Sequence, residues 1–205
     1  MTMSRRLTPE MVRAAVEAYN AQFAAVDLRL YRLSKKTSLD LNDHRGVERM
    51  EEFVRAVNGW GRTHARRADY PRAAEAALKL PWESLGTRSF DGKRAGQVVE
   101  FCDHLVLGIK SRGGQRQEWS WGSKIAHWIA PAQVPIYDQN VRDWLRLSGT
   151  GRSAYEEIVW ELFEEAAHLA SEEREIVGNV EPRTLIRAID KTLWYLVERA
   201  AGRQP

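Results

Sequence analysis

Glu118-Trp119-Ser120-Trp121-Gly122-Ser123-Lys124-Ile125-Ala126-His127-Trp128-Ile129-Ala130-Pro131 runs directly into Ala132-Gln133-Val134-Pro135-Ile136-Tyr137-Asp138-Gln139-Asn140-Val141-Arg142-Asp143-Trp144-Leu145. The first half reads as a helix that Ser120 or Ser123 caps and Pro131 ends, with Lys124, His127 and Trp128 about a turn apart. Pro135-Ile136-Tyr137 reads as stiff and extended, because proline fixes its own φ and biases the residue before it away from the helical region. A second helix starts at Asp138, with Val141, Trp144 and Leu145 as its buried stripe. A carboxylate in that position accepts from unpaired amides and suits the helix dipole, so capping alone accounts for Asp138. Helix, proline-bearing turn, helix is the unit from which the fold is read.

Outward from it, helix follows helix. Thr8-Pro9-Glu10 is a cap with proline at the first helical position, and Met11, Val12, Ala15, Val16, Tyr19 and Phe23 recur behind it at helical spacing. Ala25 to Arg32 leaves an extended alternative open. A second helix is predicted from Arg45 to Trp60, with Val47, Met50, Phe53, Val54 and Val57 on one face and Gly59 and Gly61 closing it. Pro71 opens a short helix ending near Leu80-Pro81. Arg94 to Ile109 turns Val98, Val99, Phe101, Cys102, Leu105 and Val106 inward and stops at Gly113-Gly114. Ser153-Ala154-Tyr155-Glu156 has the form of a capping box and starts a helix through Leu169. Pro182 opens the last helix, whose Leu185, Ile186, Ile189, Leu193, Leu196 and Val197 face inward. No useful strand alternation, internal repeat or low-complexity linker interrupts the series. The prediction is an all-α protein: one domain over 1–205, or two intertwined lobes with a cleft near 118–142.

The 205 residues are 43% hydrophobic and 29% charged, values of a folded domain rather than a disordered chain. No apolar run approaches the roughly 18 residues a membrane span requires, and Met1 to Arg6 leads into a helix without the apolar stretch of a secretory signal. Cys102 is the single cysteine, which excludes a disulfide framework, a cysteine zinc site and a multi-thiolate iron–sulfur cluster. The expectation is a cytoplasmic monomer with no metal and no cofactor. Charge is uneven: Met1 to Gln117 holds 21 basic against 14 acidic residues, and Glu118 to Pro205 holds 10 against 14. A basic first half suits a polyanionic partner, and equally suits arginines that solvate the outer faces of amphipathic helices.

Gly122-Ser123-Lys124-Ile125-Ala126, then Pro135-Ile136-Tyr137-Asp138-Gln139-Asn140-Val141-Arg142, resembles the helix-hairpin-helix superfamily of DNA glycosylases. There a Gly-x-Lys-x-Ala segment opens a helix, and a proline-containing turn leads to Asp-x-x-Val-x-Arg. More narrowly, the chain looks like the compact bacterial proteins with an 8-oxoguanine-glycosylase-like fold. The usual Leu-Pro-Gly-x-Gly hairpin is here Trp119-Ser120-Trp121-Gly122, and the link from Lys124 to Asp138 is about one helical turn shorter than usual. The resemblance implies a compact helix-hairpin-helix fold, double-stranded DNA with a damaged or modified base as partner, and cleavage of an N-glycosidic bond.

That chemistry suits the residue types. Breaking the bond gives the sugar oxocarbenium character, which a carboxylate such as Asp138 stabilises, or it activates the attacking group. A neutral Lys124 amine can attack the sugar carbon and form a Schiff base, which permits strand cleavage; Lys124 fits a phosphate contact or a surface lysine as well. The two are expected roughly 5–10 Å apart across a shared cleft. A flipped base would lie among Trp119, Trp121, His127 and Tyr137, with Gln139 and Asn140 reading its edge or holding a phosphate. Each also fits ordinary packing, and Trp128 and Trp144 are expected in the core. Lys110, Arg112 and Arg116 beside a Gly-Gly turn, with Ser123 and Arg142, are candidate DNA contacts, and Arg62, Arg66 and Arg67 form another basic cluster. Glu156 to Glu175, with eight acids and one base, is expected to face away from DNA. Two other classes stay open: a catalytically silent DNA-binding module of the same fold, and a helical protein-interaction domain of a phage-defence or toxin system.

Overall fold

Thr8 starts the first helix as its residue type dictates: its Oγ1 accepts from the Met11 amide at 3.3 Å, and Pro9 occupies the first helical turn. In the computed structural model, which describes residues 6–37, 44–60, 69–85, 89–109 and 119–202, this helix, α1, spans Pro9–Lys36. The extended alternative for Ala25 to Arg32 is thereby overturned. Tyr19, Phe23, Asp27 and Leu30 keep one stripe running through that segment, and Asp27 and Leu30 are buried on it.

Next come α2 (His44–Trp60) and α3 (Tyr70–Leu78), where Asp69 accepts from the Arg72 amide at 3.1 Å. A 3-10 turn at Trp82–Leu85 precedes α4 (Gly92–Ile109). Then follow α5 (Trp119–Ile129), α6 (Gln139–Leu145), α7 (Arg152–Leu169), a 3-10 turn at Ala170–Glu172, the single-turn α8 (Glu173–Ile176) and α9 (Leu185–Ala200). Among the described residues there is no strand. The protein is all-helical, and no described helix is long and apolar enough to cross a membrane.

Several predicted helix starts need correction. Ser120 and Ser123 lie inside α5 rather than capping it, since burial of Trp119 and Trp121 pulls the helix start upstream. Ser153 forms no capping box: α7 follows Gly151, which adopts φ 73°, and its register is set by the buried Ala154 and Tyr155. Pro182 stands before α9, joined to Glu181 by a cis peptide bond, and Thr184 is the cap, its Oγ1 accepting from the Arg187 amide at 3.3 Å. On α6 only Val141 is fully buried; Trp144 and Leu145 are half-buried.

α5 runs through the interior, with every side chain from Trp121 to Trp128 buried. It packs on α4, α1 and α2, while α9 packs on α1, α6 and α7 and is buried from Leu185 to Leu193. Polar residues on these two helices are therefore held out of water, and the site is built around them.

Candidate functional site

Asp138 caps α6: its Oδ1 accepts from the Asn140 amide at 2.8 Å, and its backbone is extended, at φ −134° and ψ 153°. Its other oxygen, Oδ2, lies 3.2 Å from Lys124 Nζ. The lysine side chain is 4% exposed and the aspartate 26%, so the pair is closed at its cationic end and meets solvent at its anionic end. The separation expected from the sequence is replaced by a direct ion pair. The cause is local. Ser123 Oγ, fully buried, accepts from the Tyr137 amide at 2.9 Å and donates to the Ser120 carbonyl at 3.3 Å. Ser123 precedes Lys124 and Tyr137 precedes Asp138, so one bond brings the two charges into register.

The extended segment before Asp138 is held from α7 as well. Tyr155 Oη donates to the Pro135 carbonyl at 3.0 Å and accepts from the Cys102 thiol at 3.3 Å. Tyr137 Oη accepts from the Gly151 amide at 3.2 Å. Burial pushes the Cys102 thiol up to about 12, so this cysteine is a packing group and not a nucleophile.

Behind the ion pair lies a second layer of charge that the sequence reading missed. Arg187 donates from Nη2 to both Asp27 oxygens at 2.8 Å and to Tyr19 Oη at 2.9 Å, and from Nη1 to Asp190. Lys191 Nζ lies 3.2 Å from Asp27 Oδ2 and donates to Asn20 Oδ1 at 2.7 Å. Burial pulls Arg187 down, but Asp27, Tyr19 and Asp190 outweigh it and hold the guanidinium above its ordinary range. Burial pushes Asp190 up to about 6, with Arg187 opposing; Asp138 adds to the rise and Lys124 counters it, so this carboxylate senses the Lys124–Asp138 pair. Trp60, at the end of α2, joins the layers. Its ring centre is 5.8 Å from Lys124 Nζ and 5.5 Å from Arg187 Cζ, and it meets Trp128 edge to face at 5.4 Å. A signal was present in the sequence. Asp27 continues the stripe of Tyr19 and Phe23, and Asp190 sits between Ile186 and Leu193, each an acid where an apolar residue is due.

The other candidates divide by location. Trp119 is buried against Tyr155 with ring centres 5.2 Å apart, and Trp121 donates from Nε1 to the Val54 carbonyl at 3.2 Å. His127 is fully buried and donates from Nδ1 to the Val134 carbonyl at 2.6 Å; burial, with the nearby Arg187, pushes it down to about 3, so it is neutral. These three and Tyr137 are packing groups in this arrangement rather than an open stacking pocket. Ser123 as a DNA contact is corrected, because both functions of its hydroxyl are used internally. Gln139, Asn140 and Arg142 stand on the first turns of α6 beside Asp138. Gln139 donates to Asp143 at 2.6 Å, Asn140 to Glu198 at 3.1 Å, and Arg142 to the Gly149 carbonyl at 2.8 Å. Trp128 is in the core. Of the acidic stretch, Glu165 turns inward and accepts from the Leu7 amide at 2.7 Å. Lys110, Arg112 and Arg116, and likewise Arg62, Arg66 and Arg67, lie outside the described residues. Among the described residues no cluster of three or more His, Cys, Asp and Glu side chains is placed to hold a metal.

The arrangement offers a carboxylate at a helix N-terminus, an amine against it, aromatic walls behind, and solvent on the carboxylate side. In comparisons with known protein families, with curated proteins and with solved structures, the chain matches none.

Proposed function

We propose that the protein is a DNA glycosylase that cleaves the N-glycosidic bond of a damaged or modified base turned out of a duplex. The observation that carries this reading is the 3.2 Å contact of Lys124 and Asp138, with the aspartate reaching solvent and the lysine shielded. A sugar docked at Asp138 would find its developing positive charge opposite a fixed carboxylate. For Lys124 to attack the sugar carbon, its ammonium first gives up a proton, and Asp138 is an acceptor within reach. The amine then forms the carbon–nitrogen bond as the base departs, and the proton ends on the base. If Lys124 keeps its proton, water activated by Asp138 attacks instead, and Lys124 holds the carboxylate in place. A base pocket would require Trp121 and His127 to part from their present neighbours, so the base more readily enters from the solvent side, past Gln139 and Asn140. A catalytically silent DNA-binding module is the second reading, favoured by the fact that Asp138 is already both a cap and an ion-pair partner.

The test is release of free base, read by mass spectrometry, from single- and double-stranded DNA carrying a panel of modified bases. Asp138→Asn keeps size and most of the cap but removes the charge, and base release should fall about 100- to 1000-fold while DNA binding hardly changes; the melting temperature should fall as well, because the shielded Lys124 loses its carboxylate partner. Borohydride added during turnover should trap a covalent adduct through Lys124, and Lys124→Gln and Lys124→Arg should both abolish it. Free base without an adduct would identify the water route. Full release by Asp138→Asn would sink the catalytic assignment, and DNA binding without release on any substrate would leave the silent module.

A further inference from the structure

Asp190 is a buried acid that the proposed reaction leaves without a part. It stands one turn past Arg187 on α9, its side chain 8% exposed, and its Oδ2 accepts from Arg187 Nη1. Arg187 has another partner as well, since both oxygens of Asp27 accept from its Nη2 at 2.8 Å. Arg187 and Lys124 also meet the same indole: the Trp60 ring centre is 5.5 Å from Arg187 Cζ and 5.8 Å from Lys124 Nζ. A carboxylate fixed on that guanidinium is within electrostatic reach of the Lys124 ammonium, through an interior that screens far less than water. Burial pushes Asp190 up and Arg187 opposes it; Asp138 then adds to the rise and Lys124 counters it, so the sensing is mutual.

With Asp190 ionised, Lys124, Arg187 and Lys191 face Asp27, Asp138 and Asp190, three against three. Without its charge, three cations share two carboxylates away from water, and shedding a proton relieves the excess. Arginine keeps its proton, so the burden falls on the lysines. Burial and Arg187 already pull Lys191 down to about 8, and it is closed in behind Asp27 and Asn20. Lys124 is the lysine that adjoins the solvent-reaching Asp138. The other charged or titratable groups around α9 are engaged elsewhere. Burial raises the Tyr19 hydroxyl of α1, so it stays protonated; His127 of α5 is neutral, and Glu165 of α7 accepts from the Leu7 amide. On α6 Arg142 donates to the Gly149 carbonyl and Asn140 to Glu198, and on α8 Arg174 and Glu175 are exposed.

We infer that Asp190 is a positioning residue for Lys124: its carboxylate, acting from Arg187 across the shared Trp60 ring, keeps the lysine an ammonium paired to Asp138. A neutral residue at 190 makes that proton easier to lose; it passes to Asp138 and on to water, leaving a free amine. The coupling stands by itself, and its catalytic consequence rests on the glycosylase reading. There an ionised Asp190 favours the water route, and a neutral one favours attack by Lys124 on the sugar carbon.

The experiment follows the Asp190 carboxyl carbon by NMR in protein labelled at aspartate Cγ, titrated from about pH 4 to 8, with Asp190→Asn assigning the signal. By linkage, the effect of Lys124 on Asp190 equals that of Asp190 on Lys124. Lys124→Gln should raise the midpoint by about one unit, Asp138→Asn should lower it, and Lys191→Gln should move it less than Lys124→Gln does. A merely loosened interior would lower it in every variant, toward the ordinary carboxylate value. A midpoint that stays put or falls in Lys124→Gln overturns the inference, whether or not base is released. A larger rise in Lys191→Gln than in Lys124→Gln places the coupling on the wrong lysine and overturns it too. In a protein that releases base, Asp190→Asn should raise the ratio of borohydride-trapped adduct to free base about tenfold at neutral pH, one unit being a factor of ten in amine. An unchanged ratio overturns the part of Asp190 in the reaction. Opposite midpoint shifts in Lys124→Gln and Asp138→Asn, in a protein that releases no base, uphold the coupling and remove the glycosylase reading.

Discussion

Lys124 and Asp138 owe their contact to a neighbour with no chemistry of its own. Ser123 supplies the acceptor for the Tyr137 amide inside the core, and without it that N–H has no hydroxyl to meet. Ser123→Ala should therefore cost about 1–3 kcal/mol, the range for stranding one buried polar group, read as a shift in the urea midpoint at constant m-value. The same variant should let the Lys124–Asp138 pair drift. If base release is found, it should fall further than the stability loss alone explains, because the variant stays folded at the assay temperature. No change in the urea midpoint would mean that water replaces the hydroxyl without cost.

At the scale of elements, α5 reaches the interior because Gly122 lets it approach α4. A Cβ at Gly122 would come within 2.7 Å of Val106 Cγ2 and 3.4 Å of Ile109 Cδ1. Gly122→Ala gains up to about 1 kcal/mol of helix propensity but overpacks a contact at a typical cost of about 1–3 kcal/mol, so the substitution should destabilise. Val106→Ala in the same chain should recover part of the loss, and strictly additive effects would show that the two sites do not touch. The elements were largely legible in the sequence. Thr8-Pro9 carries a start signal and the run from Val98 to Ile109 a strong stripe, and a helix stands at each. Local start signals failed where burial competed with them, as at Ser120, Ser153 and Pro182. Lys124 and Asp138 were legible because they fall in one short motif. Arg187 and Asp27 are 160 positions apart, and their bond depends on how α1 meets α9, which no local pattern encodes.

On the scale of the whole molecule, the buried titrating groups pull stability in opposite directions with pH. His127 is pushed from an ordinary value of 6.5 to about 3, so below pH 6.5 only the unfolded chain takes up its proton and stability is lost as pH falls. Asp190 is raised from 3.8 to about 6, so between those values the folded chain takes up the proton first and stability is gained as pH falls. Between pH 6.5 and 4, at 1.36 kcal/mol per pKa unit, the two contributions are each on the order of 3 kcal/mol and largely cancel. Wild-type stability should change little between pH 6.5 and 4 on their account. His127→Gln should become relatively more stable toward pH 4, and Asp190→Asn relatively less, as read from urea melts across that range. Equal pH profiles for the two variants would contradict the assignment. The layered charges have one more consequence. Lys124, Arg187 and Lys191 face Asp27, Asp138 and Asp190, so this cluster sums to zero net charge and meets dissolved ions only along its Asp138 edge. Concentrated sodium chloride should therefore barely move the melting temperature of the protein, because screening reaches one edge of the cluster and not its centre.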